Sequence, residues 1–220
     1  MFNFIMLIIS IIICFGSIIL IDKLFKKDGL IVWISVASVL ANILVCKTVN
    51  ILGFVSSLGN VMFASTFLVA NIIREKYNSK DDSTKAVKLG LVSTIGFIIA
   101  TQIALIYKPD ASDIAHESMN NLFTLSLRTS IASVTMYFLS NMLNIYLFDK
   151  LKNMIPGKLW FRNIVSTIIS NCSENFLFAF AAFIGIFDIG TILSIALVGT
   201  LIEIFITICS TPFIYITERQ

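Results

Sequence analysis

The sequence predicts an all-α integral membrane fold with seven crossings, the N-terminus outside and the C-terminus in the cytoplasm. Three observations lead there. Hydrophobic residues are 57% of the 220, charged residues only 13%, and mean hydropathy is +0.93, too little charge to clothe a soluble domain. The apolar residues fall into seven stretches: Phe2–Ile21, Leu30–Asn50, Leu58–Tyr77, Ala86–Tyr107, Leu122–Phe148, Leu159–Phe183 and Ile189–Ile216. Each approaches or exceeds the roughly 20 helical residues that cross about 30 Å of hydrocarbon. Finally, when Lys and Arg are assigned to alternate sides, only Lys47, Lys108 and Arg128 of the sixteen escape one side. The positive-inside rule makes that side cytoplasmic.

Phe2–Ile21 reads as a retained helix and not a signal peptide, because its positive charges follow the apolar run and no small-residue cleavage site is evident. Its interior offers only Ser10, Cys14, Gly16 and Ser17, which places it at the periphery of the machinery. Asp22–Gly29 is a charged cytoplasmic turn. Leu30–Asn50 carries Asn42 and Lys47 toward its outer end, and Ala37 and Ala41 form a small-xxx-small pair that lets another helix approach. Gly53–Gly59 is an external Gly/Ser turn. Leu58–Tyr77 holds Asn60, Ser65, Thr66 and Asn71 within its apolar run, and Arg74, Glu75 and Lys76 mark a solvated cytoplasmic end. Asn78–Lys88 is a polar loop, Ala86–Tyr107 is mainly scaffold, and Lys108–Asn121 is the longest external connection.

Two polar stripes follow. In Leu122–Phe148, Ser130, Ser133, Tyr137, Asn141 and Asn144 recur at helical spacing on one face. In Leu159–Phe183 the same spacing gathers Asn163, Ser166, Thr167, Ser170, Asn171, Ser173 and Glu174. Lipid penalises such faces, so they must look into the bundle or a wet cavity. Interhelical hydrogen bonding is the structural reading of a Ser, Thr or Asn. A stripe with Glu174 near its middle reads as a substrate-facing wall. The short Lys150–Lys158 loop makes these two helices antiparallel neighbours, so their stripes can meet. Ile189–Ile216 adds Glu203 near mid-membrane, where an acid must be paired, protonated or wet. An ion pair with Lys47 or Arg128 is its structural alternative.

Several chemistries lack their residues. Cys14, Cys46, Cys172 and Cys209 are scattered through apolar segments at no metal-site spacing, and His116 is the single histidine. There is no GxxxxGK[ST] loop, so any ATPase would be another chain. Catalytic Ser–His and Cys–His constellations are missing too, and nothing supports nucleic-acid binding. No cofactor or metal is expected. A Glu174–Glu203 carboxylate pair is the one enzymatic alternative.

Several blocks together resemble one family. They are ANILVCKTV (Ala41–Val49) running into GNVMFASTFLVANIIREKYN (Gly59–Asn78), then LRTSIAS and YFLSNMLNIYLFDKLK (Leu127–Lys152), then LWFRNIVSTIISNCSENFLF (Leu159–Phe178). In order and spacing they are similar to the queuosine precursor transporter family, also called the VUT family of vitamin uptake transporters. The resemblance implies a six-helix transporter core over residues 30–220, similar to the substrate-binding component of energy-coupling-factor transporters. Residues 1–29 then form an additional N-terminal crossing and its cytoplasmic turn. It also implies uptake of a 7-deazaguanine-type queuosine precursor across the cytoplasmic membrane of a bacterium. Such a base is flat, with a donor/acceptor edge that amides and carboxylates can pair; Phe161 or Tyr137 would stack on its face.

The chain departs from the family's usual residues: Asn71 and Asn144 stand where Asp is usual, Asn141 and Asn171 where Gln is, Glu174 where Asp is, and Glu203 where Lys is. The candidate substrate-binding residues are Asn71, Tyr137, Asn141, Asn144, Asn163, Thr167, Ser170, Asn171, Glu174 and Glu203. The leading functional reading is a secondary transporter or facilitator, with Glu174 or Glu203 able to carry a coupling proton. The alternative is a binding subunit that hands substrate to a separate ATP-driven module through a surface including Ala37 and Ala41. Expected partners are a small deazapurine, the lipid bilayer, and an energy-coupling module or a second copy of the chain.

Overall fold

A computed structural model describes residues 1–124 and 127–218. Leu125 and Ser126, inside the expected Leu122–Phe148 crossing, and Arg219, counted among the cytoplasmic charges, lie outside the described residues. The described chain forms α1 (Phe2–Leu44), β1 (Thr48–Ile51), β2 (Phe54–Ser57), α2 (Gly59–Lys76), α3 (Lys80–Ile106), α4 (His116–Phe123), α5 (Leu127–Met154), α6 (Leu159–Phe183) and α7 (Ile189–Glu218). Helices α1, α3, α5, α6 and α7 are long and apolar enough to cross a membrane. Their outer faces expose Ile12, Ile13, Val92, Ile103 and Leu201, a surface suited to hydrocarbon. This is a multi-pass membrane protein, and its regular elements among the described residues are helices apart from one hairpin.

A straight helix of α1's 43 residues would be about 65 Å long, twice the hydrocarbon thickness. The chain instead reverses at Lys26 (φ 54°, ψ −145°), and Asn3 Nδ2 donates to the Asn50 carbonyl at 2.8 Å, so both ends of α1 lie together. The expected Phe2–Ile21 and Leu30–Asn50 segments are thus two antiparallel arms. Gly29 permits the reversal: a Cβ there would stand 2.6 Å from Phe25 Cβ and 2.8 Å from Ile21 Cγ2. The first arm is packed, with Phe15 and Ile18 fully buried and the rings of Phe4 and Phe15 within 6 Å of Phe205 and Phe213 of α7. The second arm stops at Leu44, short of the expected Asn50, and the chain turns into the antiparallel pair β1–β2. Leu52 (φ 53°) and Gly53 (φ 95°) make its two-residue turn, both left-handed as a type I′ turn requires. The expected Gly53–Gly59 turn is therefore largely strand. Ala37 and Ala41 are buried within the chain, so the small-residue pair packs inward and offers no face to another protein.

Helix α2 is the centre of the bundle. Its 18 residues span about 27 Å, and every residue from Ala64 to Ile73 is buried, so it has no lipid face. It contacts α1, α3, α5, α6 and α7. The charged trio at its end is not the solvated interface its sequence suggests. Arg74 pairs with Asp149 of α5, Glu75 with Arg162 of α6 (2.8 Å) and Lys152 of α5 (3.3 Å), and Lys76 with Asp22 of α1 (2.6 Å). Lys27–Asp82 (2.7 Å) and Lys80–Asp149 (3.4 Å) join them. All six ion pairs among the described residues lie at this one end.

Helix α3 begins at Lys80, six residues before the expected Ala86. Ser79 Oγ accepts from the Asp82 backbone N–H at 3.1 Å, and Asp81 and Asp82 suit the positive end of the helix dipole. Most of the expected Asn78–Lys88 loop is therefore helix. The connection between α3 and α5 carries α4, and α6 has the bounds the sequence predicts.

The reversal has a direct test. Gly29→Leu is expected to cost about 1–3 kcal/mol through overpacking, read as a lowered melting temperature in detergent micelles. Gly16→Leu, where a Cβ meets nothing within 4 Å, is expected to leave that temperature almost unchanged.

Candidate functional site

The polar stripes meet as expected, but most of their length is closed. Asn71 Nδ2 donates to Asn163 Oδ1 at 2.9 Å and lies 3.4 Å from Thr167 Oγ1. Asn144 Nδ2 donates to Asn71 Oδ1 at 2.9 Å, Thr167 Oγ1 donates to Asn144 Oδ1 at 3.4 Å, and Asn163 Nδ2 donates to Thr211 Oγ1 at 3.0 Å. One lattice thereby ties α2, α5, α6 and α7 together. All five residues are buried. Asn141 is held similarly, its Oδ1 3.3 Å from the Thr66 hydroxyl and its Nδ2 donating to the Tyr137 carbonyl at 3.0 Å.

Toward the hairpin end of the bundle the stripes part around a cavity of about 600 Å³, within the range of small-ligand sites. Its walls come from the second arm of α1, the hairpin, the first turns of α2, and facing parts of α5, α6 and α7. Phe63, Tyr137, Phe178 and Phe183 supply aromatic surface, and Asn42, Asn60, Ser133 and Asn175 supply neutral polar groups. Glu174 and Glu203 are its charged lining residues. Asn175 Nδ2 donates to Glu203 Oε2 at 2.7 Å and to the Asn171 carbonyl at 3.0 Å. Gly199 makes room for that amide, since a Cβ there would stand 2.5 Å from Asn175 Oδ1. Neither acid forms an ion pair among the described residues. Arg128 instead donates to the Ala181 carbonyl at 2.7 Å, so the expected alternative of a Glu203–Arg128 or Glu203–Lys47 pair does not form. A second depression lies on α3 alone, between Asp81 and Val92, and encloses nothing.

Between cavity and lattice, Ser170 Oγ, both polar atoms of the Asn171 side chain, and Thr207 Oγ1 are buried without a hydrogen-bond partner among the described residues. Such atoms are costly in a bilayer interior unless something polar reaches them.

The ten candidates therefore divide by depth. Tyr137, Glu174 and Glu203 line the cavity. Ser170 and Asn171 lie just beyond it, buried and unpaired. Asn71, Asn141, Asn144, Asn163 and Thr167 are engaged with one another or with neighbouring helices and do not line it. Phe161, expected to stack on a ligand, packs against Trp160 at the far end of α6 and is absent from the cavity wall. Sequence reasoning missed Phe63, Asn175, Phe178 and Phe183 as wall residues. Asn175 adjoins Glu174 in sequence, and Phe178 and Phe183 lie further along the same helix, which was the available signal.

Because the lattice is reciprocal, its members are coupled. Asn144→Ala strands Asn71 Oδ1 in the dry interior and is expected to cost about 1–3 kcal/mol. An Asn71→Ala/Asn144→Ala double-mutant cycle, read by thermal unfolding, is expected to give a coupling of about 0.5–2 kcal/mol.

The family model described as Putative vitamin uptake transporter matches residues 57–217. A Bacillus subtilis (strain 168) protein named "Probable queuosine precursor transporter" is 33% identical over 222 residues, covering 100% of this chain and 96% of the relative. No solved structure matches the chain. With most of its length matched by the family model and all of it aligned to that relative, this chain belongs to the vitamin uptake transporter family.

Proposed function

We propose that this protein imports a queuosine precursor, a 7-deazaguanine-type base, across the cytoplasmic membrane of a bacterium, acting as a secondary transporter or facilitator. The observation that carries the reading is the cavity at the hairpin end: about 600 Å³, aromatic on its walls, with amides and two carboxylates at its polar positions. A flat base stacks on aromatic faces and pairs its edge with amide and carboxylate groups. The naming of the Bacillus subtilis relative supplies the ligand class.

In this reading the two arms of α1 together with α2, α3, α5, α6 and α7 make seven crossings, N-terminus outside and C-terminus inside. Residues 1–29 are an arm added to a six-helix core (residues 30–220) of the energy-coupling-factor type. None of the first arm's residues lines the cavity, which suits an accessory role. The cavity then faces outside, and the ion-paired end, rich in Lys and Arg, faces the cytoplasm. Tyr137, Glu174 and Glu203 meet substrate first. Ser170 and Asn171, with unfilled hydrogen-bonding capacity, receive it next. The lattice of Asn71, Asn144, Asn163 and Thr167, with Asn141 beside it, closes the inner path and must part for release. A transporter exposing one end of such a path at a time populates at least two arrangements, of which this is the outward one.

Expression of the chain alone in a precursor-starved host, with labelled precursor and tRNA modification as the readout, tests the reading. Uptake is expected with the unaltered chain and with Gly16→Leu. Glu174→Ala and Asn171→Ala are expected to reduce it by at least about tenfold while membrane insertion is retained. No uptake by the unaltered chain, when correctly inserted, overturns the proposal of a self-sufficient transporter.

A further inference from the structure

We propose that Glu174 and Glu203 form a carboxylate clamp for a protonated amine carried by a planar heteroaromatic ligand, so that the cavity selects a cationic base over its neutral counterpart. The inference rests on the cavity being the substrate site, as proposed above. Both acids line the cavity, and no Lys, Arg or His lines it with them. Every ion pair among the described residues lies at the opposite end of the bundle, and Arg128 is committed to a backbone carbonyl. Two acids in an apolar wall without a counter-charge leave a site that a positive ligand completes.

The arrangement is built, not incidental. Glu203 is 3% exposed, yet only Oε2 has a hydrogen-bond partner among the described residues, the Asn175 amide at 2.7 Å. Oε1 is left for a ligand. Asn175 is fixed in turn by the Asn171 carbonyl and by the space at Gly199, so one amide orients the carboxylate in advance of binding. Glu174, one residue before Asn175, has no hydrogen bond or ion pair among the described residues. An ammonium group has three donors and no acceptor. Two carboxylate oxygens from adjacent helices satisfy two of them with charge-assisted bonds. The aromatic walls, Tyr137, Phe63 and Phe178, favour an organic cation over a bare metal ion, because ring faces attract cations and the ligand's own ring can stack on them.

The test is equilibrium binding to the full chain in nanodiscs, with 7-aminomethyl-7-deazaguanine and its neutral 7-cyano counterpart as probes. The amine is expected to bind at least about tenfold more tightly. Glu203→Gln and Glu174→Gln are each expected to weaken the amine by at least about tenfold more than they weaken the nitrile, so that most of the preference is lost. Glu203→Asp is expected to retain the preference in part, and Glu174→Gln supplies an independent arm should Glu203→Gln fail to fold. Equal affinities in the unaltered chain, or loss of both ligands in parallel in variants that keep their melting temperature, overturns the clamp. Should neither deazaguanine bind, the ligand class proposed above fails, and 3-(aminomethyl)indole against 3-(hydroxymethyl)indole decides the clamp alone. Preference for that amine, removed by the Gln variants, sustains it; equal or absent binding overturns it.

Discussion

A polar group inside a bilayer must find its partner within the protein, because hydrocarbon offers none. Helix α2 meets that constraint on every side, and the bundle is arranged around how it does so. Ser65 receives the Trp33 indole N–H at 3.1 Å, and Thr66 faces Asn141. Asn71 sits at the middle of the amide lattice, while Arg74, Glu75 and Lys76 between them tie to α5, α6 and α1. Buried amide pairs between membrane helices are worth only about 0.6 kcal/mol on average. Their larger effect is on register: one amide left unpaired costs about 1–3 kcal/mol, so each helix is held at one height against α2.

The same constraint explains why one stripe of α6 serves two purposes. Asn163 and Thr167 face α2 and α5 where those helices are close, so their amide and hydroxyl are consumed by neighbours. Two turns onward Glu174 faces a space lined by the hairpin and by aromatic side chains. Between these, Ser170 and Asn171 are buried with their hydrogen-bonding capacity unfilled. Satisfied polarity closes the part of the stripe nearer the ion-paired end, and unsatisfied polarity lies between it and the cavity.

The ion pairs at the other end are likewise more than surface decoration. Arg162 is 1% exposed, lies 5.7 Å over the Phe148 ring and donates to Glu75 and to the Ile155 and Pro156 carbonyls. Removing one member of such a group strands a buried charge, which is far more costly than losing an exposed pair. This end is closed by buried ion pairs, whereas the hairpin end keeps exposed strands and an open volume.

Much of this was legible in the chain itself. Hydropathy and helical period marked the long apolar helices and gave α6 its bounds, because a bilayer imposes one length and one polarity on whatever crosses it. The periodic Asn, Ser and Thr residues of α5 and α6 announced inward faces, and Glu174 and Glu203 stood out as acids in oil. Sequence period says which face a residue is on, but not how far away the facing helix is. That distance, decided by tertiary packing, separates Asn71 and Asn144, which are consumed in a lattice, from Glu174 and Glu203, which look into a cavity. The reversal at Lys26 falls within the charged Asp22–Gly29 turn that the sequence predicts, whereas the ion pairing of Arg74, Glu75 and Lys76 was hidden, because it depends on contacts between segments remote in the chain, which local spacing does not encode.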